Sequence, residues 1–226
     1  MGNAGMTPRS PLGQSAEDYL KSVYKLAREH PVVIPSQVAD HLGISAAAVT
    51  KMVKRLEEMN LIRYSRRQGI RLTSAGEKIA LRVIRHHRLI ELYLIEALQF
   101  TWDQVHEEAE RLEHVISESF EDKIDAFLGF PTRDPHGAPI PGKDGRIEHT
   151  RSRRLADLEP GQGGIIQQVN NDDPALLRYM GELGLYPGVE VILIARDPFG
   201  GPYRIRIGGR QHVIGPEVAR NVFISI

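Results

Sequence analysis

The sequence predicts a mainly α protein with a small β domain, in the order N-terminal winged helix-turn-helix, helical domain, C-terminal SH3-like β-barrel. Three observations predict it. Apolar residues recur at the 3.6-residue helical period through the first half. Between Gly129 and Gly145 eight of seventeen residues are Gly or Pro, and the basic run Arg151, Arg153, Arg154 follows. Beyond that break the chain turns to short β-branched runs separated by Tyr-Pro-Gly, Asp-Pro-Phe-Gly-Gly and Gly-Gly-Arg turns. The expected divisions are residues 12–80, 81–128, a linker over 129–152, and 153–226.

In chain order, Tyr19, Val23, Tyr24, Leu26 and Ala27 form one stripe behind the start signal Ser15-Ala-Glu-Asp, giving a first packed helix. A short helix over 35–41 turns Val38 and Leu42 inward and stops at Gly43. Ser45 then caps a helix carrying Val49, Met52, Val53 and Leu56. Leu61 to Ser65 and Ile70 to Thr73 read as two strands joined by the turn Arg66-Arg67-Gln68-Gly69, a hairpin with a positive tip. Two further helices follow, one with His87 and Glu91 a turn apart, one running from Val105 past His114. The C-terminal runs Gly163 to Val169, Val189 to Ala195 and Tyr203 to Ile207 are barrel strands.

Composition excludes several classes. With 226 residues, 41% of them hydrophobic, the chain can bury a core. It has no cysteine, so disulfide scaffolds, thiolate zinc sites and cysteine nucleophiles are absent. No apolar run reaches the roughly 18–20 residues of a membrane span, and the start lacks a signal peptide's apolar region, so a cytoplasmic location is expected. No phosphate-binding glycine loop stands in the right context, and no nucleophile has a plausible base. No enzyme is therefore expected, although a metalloenzyme using the acidic cluster remains the alternative in that class.

The formal net charge is zero, but it is segregated. Ser45 to Arg85 holds ten basic residues against three acidic ones, and Glu91 to Asp125 eleven acids against Arg111 and Lys123. The first stretch suits phosphates and the second suits cations. A helix-turn-helix places the start of its second helix in the major groove, so Ser45, Ala46, Ala47, Thr50 and Lys51 form the expected reading face. Lys54, Arg55 and the wing-tip Arg66 and Arg67 are expected on the phosphates. At about 100° per residue, His106, Glu110, Glu113 and His114 fall on one face of one helix. His87 and Glu91 share another, and Asp18 opens the first helix. Acids gathered in this way repel one another unless a cation lies among them. Oxygen and imidazole donors without sulfur suit manganese(II) or iron(II). A winged-helix regulator that senses an organic ligand or a partner is a further alternative.

Ser15-Ala-Glu-Asp-Tyr-Leu, Val49-Thr-Lys-Met-Val-Lys-Arg-Leu, His86-His-Arg-Leu-Ile-Glu and Val105-His-Glu-Glu-Ala-Glu-Arg-Leu-Glu-His resemble the opening, recognition and ligand-bearing helices of the diphtheria toxin repressor family of metal-dependent transcription regulators. The stretch with Met180-Gly-Glu-Leu-Gly-Leu-Tyr-Pro-Gly is similar to the SH3-like barrel of its longer members and of ferrous-iron transport accessory proteins. The resemblance implies a primary metal site of Asp18, Glu110, Glu113 and His114 and an ancillary one of His87, Glu91 and His106. A barrel ligand would come from Asp172 or Asp173, with Leu176 where a second donor is expected. Iron-type members hold Met and Cys at the positions matching Asp18 and Glu110, and manganese-type members Asp and Glu. Manganese(II) is thus implied ahead of iron(II), although manganese-type members usually carry an acid where this chain has Lys21. The resemblance further implies a repressor of metal uptake genes acting as a homodimer on a palindromic operator in double-stranded DNA. Leu89, Leu92, Ile95 and Leu98 are expected to supply apolar surface for that dimer.

Overall fold

The computed structural model describes residues 12–148, 151–170 and 173–225. Helices α1 (Gln14–Glu29), α2 (Pro35–Leu42) and α3 (Ala46–Glu58) precede a hairpin of β1 (Ile62–Ser65) and β2 (Gly69–Leu72). Then come α4 (Ser74–Leu98), α5 (Val105–Leu112), α6 (Glu118–Phe127), β3 (Ser152–Arg154), a 3-10 turn at Leu155–Asp157, β4 (Gly163–Val169), α7 (Pro174–Glu182), β5 (Glu190–Arg196), β6 (Tyr203–Ile207), β7 (Arg210–Ile214), α8 (Pro216–Arg220) and β8 (Val222–Ser225). The residues divide into two compact units. One holds the chain through His86 with Leu112–Glu121 and Pro141–Arg146; the other holds His87–Arg111, Asp122–Ile140 and Ile147 onward.

The first unit contains the expected winged helix-turn-helix. Its core gathers Ala16, Tyr19, Leu20, Val23 and Leu26 of α1 with Val38, Val49, Val53, Leu56, Ile62 and Ile70. Two details of α1 differ from expectation. The helix starts at Gln14 behind Gly13, whose φ of 81° suits glycine, so Ser15 lies inside the helix and caps nothing. Leu20 takes the buried place expected of Ala27, which is exposed. Ser45 does cap α3, its side chain accepting the Ala48 amide hydrogen at 3.2 Å. The wing hairpin pairs Ser65 with Gly69 and Ile62 with Leu72. Gly69, at φ 68°, packs so close to Val33 that a Cβ would lie 2.3 Å from its carbonyl oxygen.

In the second unit a six-stranded antiparallel sheet runs in the order β3-β8-β4-β5-β6-β7. Its core is Leu155, Ile166, Leu177, Met180, Val191, Leu193, Ile205, Val222 and Ile224. The SH3-like unit is as expected except that it is open: no pairing joins β7 to β3 among the described residues. A smaller core of Leu89, Ile124 and Ile140 lies in the same unit. Leu89 is therefore interior and offers nothing to a partner, whereas Leu98 is exposed along with Phe127 and Phe130. No helix among the described residues is long and apolar enough to cross a membrane.

Candidate metal centre

Two separate donor clusters emerge, each inside one compact unit. In the first unit, α1 presents Asp18, partly exposed, between the buried Glu17 and Tyr19. Helix α5 ends at Leu112, and Glu113 and His114 occupy the turn beyond it. Asp18 Oδ1 and Glu113 Oε1 lie 2.7 and 3.2 Å from His114 Nε2. The opposite ring nitrogen, Nδ1, stands 2.7 Å from Glu17 Oε2, and the other oxygen of Glu17 accepts from Arg82 at 2.8 Å. Such a carboxylate behind an imidazole fixes its ring so that the far nitrogen faces a cation. Burial would depress the basicity of His114, but hydrogen bonds to Asp18, Glu113 and Glu17 push its pKa up to about 11.

Lys21 completes this cluster. Its ammonium donates to both oxygens of Glu113 at 2.8 Å, and both side chains are buried. His86 braces the turn, donating Nδ1–H to the Glu113 carbonyl at 2.9 Å, with Nε2 3.1 Å from Glu121. Arg85 lies 2.5 Å from the same carboxylate. Burial would raise the Glu121 pKa, but the hydrogen bonds from His86 and Arg85, with the Arg85 charge, hold it down at about 2.

The second cluster is buried within the second unit. His87 Nε2 lies 3.0 Å from Glu91 Oε1, and His106 Nδ1 lies 3.2 Å from the same oxygen. On the far side of Glu91, His136 Nδ1 approaches Oε2 at 3.7 Å, beyond hydrogen-bond reach, and this buried nitrogen has no hydrogen-bond partner among the described residues. Its other nitrogen, Nε2, faces the Trp102 carbonyl at 2.9 Å. A carbonyl only accepts, so Nε2 carries the hydrogen and Nδ1 is left to face Glu91. Burial opposes the charge on Glu91, yet His87, His106 and His136 hold its pKa well below the usual carboxylate range. Asp134 is pushed up by burial and by the charge of Glu91.

A divalent cation fits both places by the chemistry of the donors. Asp18, Glu113 and His114 offer ligand atoms within 4.8 Å of one another, as do His87, Glu91 and His106, and again Glu91, Asp134 and His136. A buried imidazole nitrogen without a hydrogen-bond partner, turned toward a buried carboxylate, is an arrangement a cation satisfies.

The expected single face of four ligands does not form. With α5 closing at Leu112, Glu113 and His114 leave the helical spiral. Glu110 stays on the helix, 53% exposed, with its carboxylate 3.6 Å from His106 Nε2, and is not among the first cluster's three donors. Asp173 has a local duty: its Oδ1 accepts from the Ala175 and Leu176 amides and caps α7. Asp172 lies outside the described residues. Asp134 and His136 come instead from the Gly/Pro-rich stretch expected as linker. The Asp134-Pro-His136 spacing was the available signal, but the glycine- and proline-rich composition around it pointed to a linker. Glu17 and Lys21 were also missed as supports.

Comparison with known proteins adds an independent line. Residues 11–70 match the family described as Iron dependent repressor, N-terminal DNA binding domain. Residues 73–142 match Iron dependent repressor, metal binding and dimerisation domain, and residues 153–226 the FeoA domain. The iron-dependent repressor IdeR of Mycobacterium leprae is 31% identical over 227 residues, spanning 95% of this chain and 98% of that protein. The chain belongs to the iron-dependent repressor family. Among solved members, a manganese-dependent transcriptional repressor in complex with manganese shares 34% identity and a TM-score of 0.88, covering 93% of this chain and 100% of that one. The manganese regulator SloR shares 35% identity and a TM-score of 0.77 over 97% and 99%. In the light of that membership the chain is a metal-dependent transcriptional regulator with a DNA-binding region.

On that region the expected residues are placed as follows. Ser45, Ala46, Ala47, Thr50, Lys51, Lys54, Arg55, Arg66 and Arg67 are all exposed. Thr50 Oγ1 donates to the Ala46 carbonyl at 2.9 Å, and Arg55 to the Leu12 carbonyl at 3.0 Å, which anchors part of its guanidinium.

Proposed function

We propose that this regulator is a manganese(II)-responsive repressor of metal uptake genes, acting in the cytoplasm as a homodimer on a palindromic operator. The observation that carries the reading is the donor set: the candidate ligand atoms of both clusters are carboxylate oxygens and imidazole nitrogens, in a chain without cysteine. The first cluster, with two carboxylates to one imidazole, is oxygen-rich and favours manganese(II), and a soft thiolate or thioether would shift preference toward later or softer metals. Asp18 and His114 join α1, in the DNA-binding region, to the turn after α5. A cation held there favours the arrangement of α1 that fits DNA. Coupling of about 1–3 kcal/mol corresponds to roughly 5–150-fold in operator affinity. Asp18, Glu113 and His114 would hold one cation, and His87, Glu91, His106 and His136, with Asp134, a second. The exposed Leu98, Phe127 and Phe130 supply apolar surface for the dimer.

Iron(II) is the second reading, favoured by the curated iron-dependent relatives. The test is binding of chelator-stripped protein to a duplex from its own promoter, titrated with manganese(II), iron(II) and zinc(II) at fixed salt against a competitor duplex. Manganese-dependent binding at lower concentration than iron, lost in Asp18→Ala, is the expected result. Iron acting first would replace manganese in the reading, and metal-independent binding would remove the metal switch.

A further inference from the structure

Trp102 is the chain's one tryptophan, packed against the core of the C-terminal sheet and against His136 of the buried cluster. Its indole stacks on the His136 ring at 5.3 Å between centroids and 28° between planes, and it meets the Tyr186 ring at 4.7 Å. Its carbonyl takes the His136 Nε2 hydrogen at 2.9 Å. Helix α7 closes over this stack at Gly181, where a Cβ would lie 2.9 Å from the Tyr186 hydroxyl and 3.2 Å from Trp102 Nε1. Beside it, Arg178 of α7 pairs with Asp103 at 2.9 Å. From the other direction the His136 carbonyl accepts the Val169 amide of β4 at 2.9 Å.

His136 is thus gripped by ring, by edge and by backbone, with Nδ1 the one polar atom of the ring left facing Glu91. We propose that Trp102 is a positioning residue for the buried cluster: it sets His136 with Nδ1 toward Glu91 and couples the cluster's filling to the C-terminal sheet through Tyr186 and α7. The inference rests on reading the cluster as a cation site. A close-packed stack passes displacement from one ring to the next, so a ligand ring pulled or released at one end is felt at the other. Coupling is reciprocal, so loosening α7 from the stack must weaken the cluster.

The test uses the full chain carrying Asp18→Ala, which disables the first cluster, and titrates it with zinc(II). Zinc is diamagnetic, so a change in Trp102 emission reports its surroundings. Equilibrium dialysis counts the ions bound. One ion per chain with a saturable emission change is expected. Adding Tyr186→Ala should weaken binding about tenfold, the usual size for a residue behind a metal ligand, while Tyr186→Phe keeps the ring and the affinity. The affinity of the Asp18 cluster, measured in a His136→Ala background, should be unmoved by Tyr186→Ala; a general loss of folding would lower it too. If Tyr186→Ala does not fold, Arg178→Ala is expected to give a loss of about threefold by undoing the Asp103 pair. An ion bound with unchanged Trp102 emission, or affinity within twofold of the parent in the folded variant, overturns the proposal. No ion bound in Asp18→Ala overturns the cation reading of the cluster and the proposal with it.

Discussion

Lys21 supplies the counter-charge that lets Glu113 remain buried beside His114. Removing one partner of a buried ion pair leaves the other charge uncompensated, at a cost of about 3–5 kcal/mol. Lys21→Met should therefore melt at lower temperature than the parent when metal-free, and manganese(II) should raise its melting temperature by more than it raises the parent's. Differential scanning fluorimetry with and without the ion reads both quantities. His114 sets the pH response. With its pKa near 11, the metal-free ring keeps its proton across the neutral range, and its contribution to stability, full below its unfolded value of about 6.5, declines above that and is gone once pH passes about 11. A cation at Nε2 must displace that proton, so affinity should rise about tenfold from pH 6.5 to 7.5, with about one proton released per ion. Calorimetry in buffers of different ionisation enthalpy counts the protons; a count near zero would mean that His114 is not a ligand.

Among the elements, the segment between α6 and β3 departs furthest from its composition. It is rich in glycine and proline, yet Asp134 accepts the amides of His136 and Ala138 and folds it into a tight loop. Gly137, at φ 85°, then brings the loop so near β4 that a Cβ would lie 2.0 Å from the Gln167 carbonyl oxygen. No side chain fits there, and positive φ adds strain for any other residue. Gly137→Ala should push His136 away from β4 and weaken the buried cluster by about tenfold or more, measurable as zinc(II) affinity in an Asp18→Ala background. The short span of α5 matters in the same way: because it stops at Leu112, Glu113 and His114 turn toward α1 while Glu110 stays beside His106.

At the scale of the whole molecule, the proposed palindromic operator would need two reading surfaces and hence a dimer, and Leu98 is the exposed apolar end of α4. Leu98→Asp should lower the dimer fraction in sedimentation and, by removing the second reading head, reduce operator affinity more than affinity for a half-site. An unchanged dimer fraction would place the interface elsewhere. The sequence by itself determined the winged helix-turn-helix, the sheet-rich C-terminus and the acidic and imidazole character of the site. These follow from period, caps, turns and charge, which are local along the chain. It also singled out Asp18, His87, Glu91, His106, Glu113 and His114. Only the tertiary structure decided how they are shared: Lys21 against Glu113, Glu17 behind His114, Glu110 beside His106, and His136 facing Glu91 while Asp173 caps α7. Those pairings join residues up to about a hundred positions apart, such as Glu17 with His114. They depend on where a helix ends and how closely a glycine lets two backbones approach, which no local pattern encodes.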